Sequence, residues 1–193
     1  LRYFYPTSVL ETGYDILFFW IARMVMLGLE NMDEVPFTTI YLHGLVRDEH
    51  GAKMSKTTGN VIDPLVAIAE YGTDALRFAL TTGNTPGNDT RLSPGKLQAG
   101  RNFANKLWNI SRYVLSQLDT SSELAGWNGG NLPRENIEDQ WILNRAQQTA
   151  MKVNDLFDDW QIGEAERVLH DFIWNEFADW YIELAKVRIR NGD

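Results

Sequence analysis

Lys53-Met54-Ser55-Lys56-Thr57 places two ammonium groups three residues apart in a short polar stretch. Gly51 and Gly59 flank it, Thr58 adds a hydroxyl, and Asn60-Val61-Ile62-Asp63-Pro64 follows. A glycine-flanked loop of this kind can turn lysine side chains and backbone N–H groups toward a polyphosphate, where they neutralise charge developing on phosphate oxygens. Most surface lysines are simply solvated, so the lysine pair alone does not separate a phosphate loop from an ordinary exposed turn. The flanking sequence has to decide.

Upstream, Thr7-Ser8-Val9-Leu10-Glu11 reads as a short strand and Thr12-Gly13 as a turn. Tyr14 to about Gly28 reads as a helix. Pro36 to Leu42 is rich in β-branched and aromatic residues and reads as a second strand. Strand, helix, strand is the alternation of a parallel α/β layer. Downstream, Asp63 with Pro64 gives an N-cap and a proline at the first helical position, opening a helix to about Tyr71. Gly72 ends it, and Thr73 caps a further helix from Asp74 to Thr82. Gly83-Asn84-Thr85-Pro86-Gly87-Asn88 is the strongest punctuation in the chain. It places a boundary between a first domain, residues 1–85, and a second, residues 86–193.

Beyond that boundary the pattern is helical. Ser93-Pro94 starts a helix with apolar positions at Leu97, Phe103, Ala104, Leu107, Trp108, Ser111, Val114, Leu115 and Leu118, a 3.6-residue period. Thr120 to Arg134 reads as a glycine-containing polar loop. Asn136 to Trp160 and Glu164 to Arg190 read as two more helices, with the aromatics of the last one mostly in the core. The fold class is therefore α/β plus all-α.

The 193 residues, 44% of them hydrophobic, can bury real cores. The absence of cysteine excludes a disulfide framework and thiolate metal sites. His43, His50 and His170 are too scattered to suggest a metal centre. The apolar run Tyr14–Leu29 carries Arg23 in its middle and reads as a buried helix, not a membrane span. No signal peptide is apparent, and the start without Met inside a strand-like run suggests a piece of a longer chain. The net charge of −8 does not advertise a nucleic-acid binder, but its distribution is uneven. Residues 86–118 carry five basic side chains against Asp89 alone, whereas residues 119–193 carry seven basic and fifteen acidic ones. That suits one RNA-facing helix on a solvated bundle, and it suits ordinary helix faces equally well.

His43-Gly44-Leu45-Val46-Arg47-Asp48, the lysine loop and Gly59-Asn60-Val61-Ile62-Asp63-Pro64 together resemble the KMSKS signature region of the class I aminoacyl-tRNA synthetases. Threonine replaces the final serine and keeps the hydroxyl. Pro6-Thr7-Ser8-Val9-Leu10-Glu11-Thr12-Gly13-Tyr14-Asp15-Ile16-Leu17-Phe18-Phe19-Trp20 is similar to the valine-activating branch. The isoleucine-activating branch has Gly-Ser-Asp-Gln-His-Arg-Gly-Trp at the equivalent place. Asp74-Ala75-Leu76-Arg77 resembles the family's hinge after the lysine loop. Arg101-Asn102-Phe103-Ala104-Asn105-Lys106-Leu107-Trp108-Asn109 and Phe177-Ala178-Asp179-Trp180-Tyr181-Ile182-Glu183 resemble its anticodon-binding helices. The likeness spans nearly the whole chain, most thinly at 120–134.

The resemblance implies the second half of a Rossmann-like catalytic domain followed by an anticodon-binding bundle. It implies that Lys53 and Lys56 carry the phosphate chemistry, with Met54 backing the loop against the adenine. Glu11, Gly13, His43 and Gly44 would join Lys56 in binding ATP. Asp15 would take the substrate ammonium, a role that competes with simple helix capping. Ile16 and Trp20, four residues apart, would wall the side-chain pocket, where plain core packing is the rival reading. The implied partners are valine, ATP with its Mg²⁺, and tRNA(Val), with no protein-only metal site. Arg101, Asn105 and Arg112 are spaced along one helix face flanked by Lys106, so Arg101, Lys106 and Arg112 are the candidate tRNA contacts. The family's other nucleotide signature, His-Ile-Gly-His, occurs nowhere in the chain, so the isolated chain is expected to be inactive without a missing N-terminal half. The expected setting is the cytoplasm, as a monomer with no membrane partner. An isoleucine-activating enzyme and a stand-alone RNA-binding helical module are the alternatives.

Overall fold

The computed structural model describes residues 3–117 and 136–191. Leu118 and the loop expected at 120–134 lie outside the described residues. The chain forms two compact units, neither continuous in sequence. The first contains residues 1–62 and 84–94, and the second residues 63–83 and 95–193.

In the first unit, strand β1 (Thr7–Gly13) pairs in parallel with β2 (Phe37–His43), with Thr7 opposite Phe37 and Gly13 opposite His43. The strand thus continues through Thr12-Gly13, which the sequence suggested as a turn. Helix α1 (Ala22–Met32) makes the crossover. It is preceded by a 3₁₀ turn, Tyr14–Ile16, and a π-helical segment, Leu17–Ile21, where a single helix was expected. A left-handed residue, Asp33 at φ 57°, closes α1. Two-residue strands β3 (Val46–Arg47) and β4 (Thr90–Arg91) form a second parallel pair.

That second pair explains why the first unit reclaims residues 84–94. The Thr90 amide donates to the Leu45 carbonyl at 3.0 Å and the Leu92 amide to the Arg47 carbonyl at 2.9 Å. Asp89 accepts from the Leu45 amide at 2.8 Å and from Arg47 Nε. Glycine punctuation around residue 83 marks the exit from a helix. It carries no information about this return pairing, so the compact units divide the chain differently from the 85/86 boundary.

In the second unit, Asp63 caps α2 (Pro64–Tyr71), accepting from the Leu65 amide at 2.8 Å. Gly72, at φ 98°, separates it from α3 (Thr73–Thr81). Thr73 is the first residue of α3 and makes no cap, contrary to expectation; Gly72, with its positive φ, occupies the cap position. Then come α4 (Pro94–Gln117), α5 (Ile137–Asp158), α6 (Ile162–Asp171), a π-helical stretch Phe172–Tyr181, and α7 (Ile182–Arg190). The expected helix from Glu164 to Arg190 is one continuous helical run with a wide middle. Ala75, Leu76, Ala79, Leu97, Phe103, Ile142, Leu156, Ala165 and Ile182 form the buried core. Gly100 lets α4 meet α3 closely, since a Cβ there would lie 2.7 Å from the Ala75 carbonyl oxygen. Phe78, Phe103, His170 and Trp174 form a run of ring contacts with centroids 4.6–6.4 Å apart. Of the last helix's aromatics, expected mostly in the core, Trp180 is 65% exposed. Among the described residues, no helix is long and apolar enough to cross a membrane.

Candidate nucleotide site

Parallel pairing brings the carboxyl ends of β1 and β2 together, the edge of an α/β layer where ligands bind. Glu11 Oε1 lies 3.4 Å from His43 Nε2, and His43 Nδ1 lies 2.8 Å from the Gly44 carbonyl. Gly13 faces the same ring; a Cβ there would lie 2.8 Å from Asp15 Oδ1 and 3.5 Å from His43 Cε1. Lys53 Nζ reaches Asp15 Oδ2 at 3.5 Å. Glu11, Gly13, Asp15, His43 and Lys53, proposed from three separate stretches, therefore converge at one edge of the first unit.

A Cβ at Gly44 would lie 1.7 Å from the Asn88 carbonyl oxygen, so the missing side chain admits the chain's own returning segment. Ile16 and Trp20 are 39% and 60% exposed, while Ile21 is buried. Neither packs as core within the described residues. Their four-residue spacing also crosses from a 3₁₀ turn into a π-helical segment, so the α-helical argument that they share one face does not apply directly.

The lysine loop and the turn before it are held by a network of hydrogen bonds. Lys53 bridges Arg47 in antiparallel fashion, and Arg47 Nη1 donates to the Gly51 carbonyl at 3.2 Å. Asp48 Oδ1 accepts from the amides of Ala52 at 2.7 Å and His50 at 3.1 Å. The Asn60 side-chain amide donates to Asp48 Oδ2 at 2.8 Å, and that bond is the leading reason the Asp48 carboxyl lies below its ordinary range. Asp89 is lowered too, first by the Leu45 amide and then by Arg47. Ser55 caps the loop's own turn, its carbonyl accepting from the Thr58 and Gly59 amides at 3.2 and 3.1 Å. Met54 is half-buried behind it, and Lys56 is exposed. Sequence reading passed over Asp48 and Asn60 as residues of the site. The available signal was local: an Asp opening the turn before Gly51, and an Asn directly after Gly59, both types that bond nearby backbone. Among the described residues no group of three or more His, Asp or Glu side chains could hold a metal ion.

Residues 1–93 match the family model for tRNA synthetases class I (I, L, M and V), and residues 139–193 match the anticodon-binding domain of tRNA ligase. The chain belongs to the class I tRNA synthetases. It is 59% identical over 191 residues to the valine--tRNA ligase of Dehalococcoides mccartyi (strain CBDB1), covering 99% of this chain and 21% of that protein. It is 53% identical over 194 residues to the valine--tRNA ligase of Symbiobacterium thermophilum, again covering 99% of this chain and 21% of the relative. The chain thus spans about a fifth of the length of these curated relatives. Among solved structures it resembles the LeuRS of Agrobacterium radiobacter K84, determined as a ternary complex with tRNA and LeuAMS. That match has a TM-score of 0.71 and 26% identity, over 86% of this chain and 22% of that one. The methionyl-tRNA synthetase of Mycobacterium tuberculosis has the same fold, with a TM-score of 0.75 at 24% identity over 97% of this chain and 36% of that one.

In this class I synthetase segment, the candidate tRNA contacts all fall in the helical unit. Arg101 and Arg112 are exposed on α4, with Arg101 Nη1 donating to the Glu70 carbonyl at 3.3 Å. Lys106 turns inward: its Nζ lies 2.9 Å from Asp179 Oδ1 and 5.2 Å from the Trp174 ring centroid.

Proposed function

We propose that this chain is the part of a valine--tRNA ligase that carries the second half of the ATP and amino-acid site and the anticodon-binding helices. The observation that carries the reading is the convergence of Glu11, Gly13, Asp15, His43 and the lysine loop at one strand edge, together with the identity to valine--tRNA ligases along nearly the whole chain. In the first step a carboxylate oxygen of valine bonds to the α-phosphorus of ATP. The bond from that phosphorus to the α,β-bridging oxygen breaks, and pyrophosphate leaves with the electron pair. In the second, a hydroxyl of the tRNA's terminal ribose attacks the carbonyl carbon, AMP departs, and the hydroxyl proton is released. The protein's part is positioning and charge neutralisation. Asp15 holds the valine ammonium, Ile16 and Trp20 wall its side chain, and Glu11, Gly13, His43, Gly44 and Met54 surround the nucleoside. Lys53 and Lys56 stabilise the departing pyrophosphate. Mg²⁺ travels with the ATP phosphates. Arg101 and Arg112, with a smaller share from Lys106, meet tRNA phosphates. The enzyme is a cytoplasmic monomer.

Alone, the 193-residue chain is inactive, because it holds one lysine signature and no His-Ile-Gly-His. Its exposed apolar residues in the first unit support this: Phe18 is 79% exposed, Phe19 61%, Met26 68% and Leu27 63%, more than one two-stranded sheet can cover. The test is valine-dependent exchange of pyrophosphate into ATP. The full-length protein should show it and the isolated chain should stay at background. Exchange by the isolated chain would end the half-site reading, and preference for isoleucine in the full-length protein would move the assignment to that amino acid. Lys56→Ala in the full-length protein should lower kcat about 100-fold while changing the KM for valine little, the pattern of a contact made chiefly in the transition state.

A further inference from the structure

The two lysines are placed by neighbours that are not themselves charged toward a substrate, and the central one is Asn60. Its Oδ1 accepts from the Ser55 amide at 2.9 Å and from the Thr58 hydroxyl at 2.7 Å. Its Nδ2 donates to Asp48 Oδ2 at 2.8 Å and to the Lys53 carbonyl at 3.3 Å. Asp48 in turn fixes the preceding turn through the His50 and Ala52 amides. One carboxamide therefore ties the segment after the loop to the Lys53 carbonyl, to the Ser55 amide next to Lys56 and to the turn before the loop. Only a head group with donor and acceptor on one carbon can make this set of bonds. A carboxylate at 60 would face the Asp48 carboxylate, and an apolar residue would leave the Ser55 amide unmatched.

We propose that Asn60 is a positioning residue for the lysine loop, acting with Asp48 as a clasp that holds Lys53 and Lys56 in the geometry the departing pyrophosphate needs. It touches no substrate and works through the two lysines. The inference rests on the phosphate role proposed for that loop. A misplacement of about 1 Å in a charge-stabilising group costs on the order of 100-fold in rate, so the clasp has a measurable consequence.

The measurement is valine-dependent pyrophosphate exchange by the full-length protein. Asn60→Asp should lower kcat by about 10–100-fold and leave the KM for valine within about twofold. Adding Asp48→Asn to Asn60→Asp restores a donor–acceptor pair with the roles exchanged, because the new amide at 48 still accepts from Ala52 and now donates to position 60. The double variant should recover about tenfold of the loss. Asn60→Asp behaving like the wild type, a double variant no better than the single, or a valine KM rising in step with the loss of kcat would each overturn the proposal. Lys56→Ala is measured in parallel. A loss there without one in Asn60→Asp defeats the clasp alone; no loss in Lys56→Ala defeats the phosphate role of the loop and the clasp with it. Trypsin reads the same clasp in the 193-residue chain without any chemistry. Asn60→Asp should speed cleavage after Lys53 and Lys56 at least about fivefold relative to cleavage after Lys152, and an unchanged ratio overturns the proposal even where the full-length variant folds poorly.

Discussion

The two units are held together in opposite ways. In the first, order is polar: Asp48, Asn60, Asp89 and Arg47 bind backbone groups within the lysine loop and the β3–β4 pair. Its main sheet has two strands, and most of its crossover segment faces outward. In the second, order is apolar and distributed: buried apolar side chains come from each of its helices, and several charged side chains pair off around them. Arg145 makes two bonds to Glu176, at 2.6 and 2.7 Å, and Arg167 bonds both Glu164 and Asp171. The contrast teaches where each job resides. A loop that must present charge to a ligand is fixed by hydrogen bonds to its backbone, leaving the ammonium of Lys56 exposed. A bundle that must keep its shape pairs several of its cations internally.

Two glycine substitutions sharpen that difference, with the larger effect in the first unit. Gly44→Ala would set a methyl group 1.7 Å from the Asn88 carbonyl oxygen, which backbone cannot yield without moving. The loss should exceed about 3 kcal/mol locally, beyond the usual range for overpacking. In the 193-residue chain, hydrogen exchange should show the Thr90 and Leu92 amides unprotected while the amides of α5 keep wild-type protection. Gly100→Ala presses on the Ala75 carbonyl from 2.7 Å, and should cost about 1–3 kcal/mol spread over the whole bundle. If Gly44→Ala loosens α5 as much as β4, the units are one cooperative body and the contrast is wrong.

The same contrast explains what could be read from the chain beforehand. The lysine loop, the α/β alternation and the Asp63-Pro64 helix start are local signals, each written in consecutive residues, and each appears in the structure. The return of residues 84–94 to the first unit was not legible. It depends on Gly44 and Asp89 meeting residues more than forty positions away, and two-residue strands carry no periodicity. The inward turn of Lys106 was hidden for the same reason, since Asp179 lies on another helix. The π-helical segments at Leu17–Ile21 and Phe172–Tyr181 are apolar and aromatic runs whose hydrophobic spacing suits an α-helix equally well.

Acid should test the polar half of the contrast by itself. Asp48 and Asp89 both have lowered folded-state pKa values. A depressed carboxyl contributes stability that is fully present above its unfolded pKa, about 4, and is lost as pH falls through the folded value. Amide protection of Ala52 and Leu45, corrected for intrinsic exchange, should hold from pH 7 to about pH 5 and decline below about pH 4. Asp48→Asn should flatten the profile at Ala52 and leave it at Leu45, which Asp89 serves. A profile at Ala52 indifferent to that substitution would show that the Asp48 bonds do not stabilise the turn.

The smallest effect concerns the exposed arginines of the bundle. Arg101 and Arg112 are exposed on α4, whereas Lys106 spends its ammonium on Asp179 and the face of Trp174. Phosphate contacts made by a lysine or arginine release counterions, so each contributes roughly −0.7 to −0.9 to the slope of log affinity against log salt. Binding of cognate tRNA by the 193-residue chain, which carries a net charge of −8, should be modest and steeply salt-dependent. Arg101→Ala with Arg112→Ala should make that slope shallower by about 1.4–1.8, without changing preference among tRNA sequences, because backbone contacts position and do not specify. Lys106→Ala should change the slope by less than either arginine, since its charge is already matched by a carboxylate. Equal effects from all three would mean that the Lys106–Asp179 pair opens when RNA arrives. Identical slopes in every variant would mean that α4 is solvated surface and RNA docks on another part of the bundle.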